Sequence, residues 1–144
     1  MSASYELALR GLKSNEAYVE KISHFVNENI PIQLEKDEDG YILLSEMFNL
    51  FFDFKDMDLK GIATGYGFDA DFTIDIIIYN NRITEAVELL LKLIVYLDSM
   101  NVKYLLIENS AEKFRKEGNE LIVAPVNSNW ESVFHEEIVS KFLK

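Results

Sequence analysis

Residues 35–46 carry acidic side chains at the spacing of an EF-hand calcium loop, with Gly40 where that loop turns sharply. Calcium binds carboxylate oxygens, so one interpretation of the chain is a calcium- or small-ligand-responsive regulatory module. Pro31 favours another interpretation, because proline cannot continue the helix that must enter such a loop. Apolar residues at period two on both sides of Asp39-Gly40 predict a β-hairpin instead, in which glycine supplies a positive φ angle. We expect this hairpin to bind no metal.

Residue sets for catalysis are missing from the sequence. There is no cysteine, which removes thiol catalysis, cysteine zinc sites and disulfides. His24 and His135 are the only imidazoles, and Val139 stands where a His-Glu-x-x-His zinc motif needs its second histidine. No Gly-x-Ser-x-Gly elbow presents a serine, and no basic residue directly follows Gly65-Tyr66-Gly67 to bind phosphate. We therefore predict that the protein is not an enzyme and has no catalytic residues and no cofactor.

The charge balance is strongly acidic. There are 25 Asp plus Glu against 14 Lys plus Arg, which gives a formal net charge of −11. Such a chain repels phosphate backbones, so we expect no nucleic-acid partner. The same charge attracts a basic protein and speeds its approach. The alternative is that the acidic residues only keep the protein soluble.

The acidic residues fall into groups with tyrosines among them. Carboxylates that speed encounter and aromatic side chains that anchor the complex are typical of a surface that docks a basic protein. Solvated loops of an acidic protein would give the same pattern. The predicted partner-binding residues are Asp37, Glu38, Asp39, Tyr41, Asp56, Asp58, Tyr66, Asp69 and Asp71.

Hydrophobic periodicity predicts the elements that must position these residues. Helical spacing covers 15–29 and 83–100, and a capping-box pattern at 128–131 predicts a last helix that contains Trp130, Val133 and Phe134. The glycine-rich stretch 56–69 is predicted to be a loop. Strands are predicted over 4–9, 32–36, 41–45, 48–54, 72–79, 103–108, 112–116 and 120–124.

This order of elements predicts an α+β fold in one domain over residues 1–144, with two or three helices packed mainly on one face of an antiparallel sheet. The strand 72–79 alternates apolar with polar residues, which indicates a sheet with one wet face. The longest apolar tract, 89–97, is interrupted by Lys92 and is too short to span a bilayer. The first residues show neither a basic start nor an apolar core of a signal peptide. We expect a cytoplasmic protein without a membrane partner.

Four stretches in succession carry a resemblance. They are the Gly-Phe opening at 65–69, the strand at 72–79, the apolar helix at 83–98 and the Leu-Leu strand that ends in Asn109. In this order they resemble the immunity proteins of bacterial polymorphic toxin systems, in particular those of swarm-inhibition toxins exchanged between sibling cells. The resemblance implies a small cytoplasmic protein that binds and blocks one cognate toxin domain, usually encoded beside it, without catalytic activity.

Overall fold

The computed structural model describes residues 2–55, 57–108, 111–124 and 133–143, of which 2 and 57–59 are described by their backbone alone. Within these ranges the chain forms one antiparallel sheet, four α-helices and a short 3₁₀ helix (Asn80–Arg82). The helices are α1 (Asn15–Asn29), α2 (Met57–Gly65), α3 (Ile83–Ser99) and α4 (Glu136–Phe142). The strands are β1 (Ser2–Arg10), β2 (Gln33–Lys36), β3 (Gly40–Leu44), β4 (Phe48–Asp53), β5 (Phe72–Tyr79), β6 (Lys103–Glu108), β7 (Ala111–Lys116) and β8 (Leu121–Val123).

The eight strands lie in the order β2-β3-β4-β5-β1-β6-β7-β8, and every neighbouring pair is antiparallel. Two meanders, β2 to β5 and β6 to β8, therefore flank β1, which joins them at the centre of the sheet. The α+β fold with an antiparallel sheet is confirmed.

One face of the sheet carries the main core. Alternate residues of β1, Tyr5, Leu7 and Leu9, are at most 2% exposed and belong to one apolar cluster with α1, α3 and α4. The strong apolar face of α3 explains its place there, because Leu90 and Ile94 are each 2% exposed. At the end of α3, Asn101 adopts a φ of 64° while the Val102 N–H bonds the Leu97 carbonyl at 3.0 Å, which closes the helix.

The described residues cover the opposite face only in part. Helix α2 lies there against β1 and β5, and its Ala63, together with Phe68 beyond its end, packs with Ala8, Leu105 and Ile107. The predicted loop at 56–69 is therefore wrong for most of its length. Gly61 and Gly65 lower the intrinsic helix propensity, and packing of Ala63 against the sheet outweighs that cost.

The last helix is shorter than the predicted one. Helix α4 begins at Glu136, so Val133 and Phe134 precede it, although Phe134 is buried against Tyr5 with ring centroids 4.8 Å apart. The capping-box residues 128–131 lie outside the described residues.

Candidate protein-docking face

The hairpin β2–β3 presents the first predicted acidic group. The Asp37 N–H bonds the Gly40 carbonyl at 3.1 Å, and the Asp37 carboxylate accepts the Asp39 N–H at 2.8 Å. This confirms the predicted hairpin. The predicted role of Gly40 is wrong, because among the described glycines only Gly11 and Gly67 have positive φ angles. Glycine is needed at position 40 because a Cβ atom there would lie 1.7 Å from the Phe52 carbonyl oxygen.

The fold brings two predicted groups to the same end of the sheet. Gly40 at the start of β3 lies opposite Asp53 at the end of β4, and Phe72 at the start of β5 lies opposite Leu9. The β2–β3 turn with Asp37, Glu38 and Asp39 and the loop with Asp69 and Asp71 therefore lie at one end, which we call the acidic end. Asp56 lies outside the described residues, and the side chain of Asp58, on α2, is not described.

Several of the predicted binding residues already have partners in the chain. Asp71 accepts hydrogen bonds from the Tyr18 hydroxyl and from the Gly11 N–H at 3.2 Å, which ties the start of α1 to the end of β1. Asp39 pairs with Lys55 Nζ at 3.0 Å. Asp37, Glu38 and Asp69 are exposed.

The predicted aromatic anchors are also engaged internally. Tyr41 packs on Phe54, with ring centroids 5.9 Å apart, on the side of the sheet that faces the helices. Tyr66 packs against the apolar cluster that contains Ala63 and Phe68, and its carbonyl accepts a hydrogen bond from Arg115. Both residues are half-buried, so neither ring projects fully from the surface to contact a partner.

The structure reveals a surface that sequence reasoning missed. On the face of the sheet opposite α1 and α3, strands β2 to β5 and the adjoining part of β1 carry half-buried or exposed side chains. These side chains lie outside the apolar cluster that contains Ala63 of α2. We call this surface the open face. Two cross-strand rows form it, namely Glu35, Ile42, Phe51, Asp75 and Glu6, and next to them Gln33, Leu44, Asn49, Ile77 and Ser4.

The first row has an apolar centre and acidic ends, whereas Asn49 lies at the centre of the second row. Ile42 and Phe51 are neighbours in the first row. In the second row Leu44 lies beside Ile42, and Ile77 lies diagonal to Phe51, on the other side of Asn49. Carboxylates of the first row flank this centre on both sides, from Glu35 on the edge strand to Asp75 and Glu6 further in, and neither row contains a lysine or arginine. The open face is therefore an apolar patch whose rim is acidic along the first row and uncharged along the second, at Gln33 and Ser4.

A shallow concavity of about 290 Å³ links the open face to the acidic end. Phe51 and Ile77 form its apolar side, and Asp37, Asp53 and Asp75 supply carboxylates around it. At the far side of the open face, the Asn49 amide donates a hydrogen bond to the Tyr79 hydroxyl and so links β4 to β5. A side chain that enters this concavity would meet an aromatic ring and carboxylates together.

The calcium loop gains no support from the hairpin geometry. Glu46, the last acidic residue of the proposed loop, lies beyond β3 and pairs with Arg82 at 3.0 Å rather than turning toward Asp37. Across the described ranges, no group of three or more His, Asp or Glu side chains could hold a metal ion. His24 is exposed and contacts Glu28 at 2.6 Å on the surface of α1, and His135 is exposed just before α4.

Comparisons with known proteins add no family assignment. No model of a known protein family matches the chain, and no curated protein sequence matches it. In the part of the chain that the structure describes, no helix combines the length and the apolar character needed to cross a bilayer.

Proposed function

We propose that this protein is a non-catalytic immunity protein, which binds a basic toxin domain of its own bacterium through the open face and thereby blocks it. The observation that carries the proposal is the apolar patch of Ile42, Phe51 and Ile77 next to the carboxylates of the first row. The resemblance of residues 65–123, which includes the strand 121–123 of the final hairpin, to immunity proteins supports it.

The composition of the open face suits protein binding. Protein interfaces combine an apolar centre, often aromatic, with a polar rim that stays in contact with water. Phe51 is the natural anchor here, because it is half-buried between Ile42 and Asp75 and lines the concavity. Truncation of such an anchor usually costs about 2 kcal/mol of binding free energy or more.

Charge selects the class of partner. The rim carboxylates and the exposed acidic residues Asp37, Glu38 and Asp69 favour a basic protein surface. A nucleic acid would be repelled by the same groups. Electrostatic complementarity of this kind acts mostly on the rate of encounter, while the apolar centre holds the formed complex.

The test uses the protein domain encoded by the gene next to this one. That domain should stop growth when it is expressed alone, and co-expression of this protein should restore growth. Phe51→Ala should weaken binding by about 30-fold, which corresponds to the anchor contribution above. Val95→Ala is the matched control, because Val95 is an apolar residue of α3 that is 40% exposed on the helical side of the molecule.

Two outcomes contradict the proposal. One is a neighbouring domain that leaves growth unaffected when expressed alone. The other is a Phe51→Ala variant that binds and protects as well as Val95→Ala does, after circular dichroism has shown that both variants fold.

A further inference from the structure

The edge strand β2 exposes backbone groups that no neighbouring strand uses. It is the first strand of the sheet order, it pairs with β3 alone, and all four of its residues are exposed. An unpaired strand edge is a template for another strand. Of the strands that the structure describes, none pairs with the outer edge of β2.

Hydrogen-bond alternation identifies the free backbone groups. The Asp37 N–H bonds the Gly40 carbonyl, and the register runs without a shift from there through Glu35 opposite Ile42 to Gln33 opposite Leu44. In an antiparallel pair the hydrogen-bonded positions alternate, so Gln33 and Glu35 direct their backbone groups to β3. Leu34 and Lys36 therefore direct their N–H and C=O groups outward.

The side chains of β2 define the chemistry of a strand that could add to this edge. Gln33 and Glu35 lie on the open face, joined by a side-chain hydrogen bond of 2.7 Å, while Leu34 lies on the other side and is 41% exposed. A strand at this edge would place alternate side chains beside Glu35 and beside Leu34. Basic residues suit the first side, and apolar residues suit the second.

We infer that β2 accepts an extended segment of the partner as a ninth strand, and that this segment alternates basic with apolar residues. The inference deepens the proposed function, because it states how a basic partner would engage the rim of the open face. Charge argues against a second copy of this chain, since the formal net charge is −11 and Glu35 and the acidic β2–β3 turn would approach like charges. The added strand would continue the cross-strand row that begins with Glu35, Ile42 and Phe51.

A peptide of alternating lysine and valine, ten residues long, serves as the probe. We expect saturating peptide to slow hydrogen exchange of the Leu34 and Lys36 amides by at least about tenfold, with little change at Glu35, whose N–H already faces β3. A peptide of alternating glutamate and valine should not do so. Absence of protection at Leu34 and Lys36, or equal protection by both peptides, would overturn the inference.

Leu34→Pro tests the backbone contact, because it removes one outward N–H and leaves the bonds to β3 in place. Proline is tolerated on the outer side of an edge strand, so the variant should fold. It should bind the lysine–valine peptide at least about tenfold more weakly than Leu34→Ala, which keeps the N–H. Equal binding by the two variants would refute strand addition.

Self-association is the competing outcome. Light scattering of the protein alone should give a monomer, and a dimer that Leu34→Pro dissociates would assign the edge to a second copy and overturn the inference. These measurements are independent of the toxin assay. If the neighbouring domain binds and Phe51→Ala weakens it while β2 stays unprotected by the peptide, the proposed function stands and strand addition fails.

Discussion

The hydroxyl of Tyr18 joins three parts of the chain, and its removal gives a sharp test of the structure. The hydroxyl donates a hydrogen bond to the Asp71 carboxylate and accepts one from the Leu12 N–H at 3.0 Å. It thereby connects α1, the segment after β1 and the loop before β5. Tyr18→Phe would remove both hydrogen bonds while the ring stays stacked on Phe72, whose centroid lies 4.5 Å away.

The expected loss of stability follows from these contacts. Tyr18 is 1% exposed, so water cannot replace the missing hydroxyl easily. A hydrogen bond to a charged group contributes about 1.5–3 kcal/mol, and no cavity term is added because the ring is retained. We therefore expect Tyr18→Phe to lower the free energy of unfolding by about 1.5–3 kcal/mol.

Urea denaturation followed by circular dichroism measures this change. Tyr41→Phe is the control, because no hydrogen bond of the Tyr41 hydroxyl is found among the described residues, and it should stay within about 0.5 kcal/mol of the wild type. A Tyr18→Phe variant as stable as Tyr41→Phe would show that the three-way contact does not form as described.

The same hydroxyl gives the stability a dependence on pH. Burial, followed by the hydrogen bond to Asp71, raises the pKa of Tyr18 above its ordinary value of 10.0. The folded protein thus holds the phenol proton more tightly than the unfolded chain does. This contribution is fully present below about pH 10 and is lost as the pH rises toward the folded-state pKa. Burial also raises the pKa of Tyr104, so Tyr18→Phe should reduce the alkaline loss of stability without abolishing it.

Three further predictions concern the core, the hairpin and the acidic end. Leu90→Ala should cost about 2–5 kcal/mol in chemical denaturation, since Leu90 is 2% exposed, whereas Val95→Ala should change stability far less. Gly40→Ala should lower the melting temperature, because the added Cβ atom would clash with the Phe52 carbonyl. Gly61→Ala should raise the melting temperature, because there is open space around residue 61 in α2 and alanine has the higher helix propensity. Association with the neighbour-encoded domain should slow at high salt in stopped-flow measurements. At low salt, the triple variant D37N, E38Q, D39N should associate more slowly than the wild type, with little change in the dissociation rate. An association rate that responds neither to salt nor to the triple variant would refute charge steering.

Elements with a clear period could be predicted from the sequence. The strand 72–79 has the predicted bounds, and helix 83–100 differs by one residue at its end, because each buries an apolar face at the matching period. Helix α2 could not be predicted, because glycines at 61 and 65 are typical of a loop. Its stability comes from packing against the face of the sheet opposite α1 and α3. The start of α4 was misplaced because Phe134 is buried as a residue of the preceding segment rather than of the helix.

The candidate site was only partly accessible to sequence reasoning. The sequence shows the acidic groups, but two of them lie together at the acidic end only because of the strand order, which the sequence does not show. The open face was missed because the run 48–54 is almost continuously apolar, so the sequence does not distinguish Phe51 on the open face from Phe52 in the core. Cross-strand register decides between them: Phe51 lies opposite Asp75, and Phe52 lies opposite Ile74.

The central position of β1 has a consequence for how the chain acquires its structure during synthesis. Leu7 pairs with Ile74 on one side and with Leu106 on the other, so β1 is synthesised well before either of its neighbours in the sheet. Strands β2 to β4 can form hairpins early, because their contacts are local. Both edges of β1 stay unpaired until β5 and β6 have been made, and over that interval the nascent chain is exposed to aggregation. The sheet therefore becomes continuous across β1 only after translation has passed β6, and β7 and β8 are added to it later.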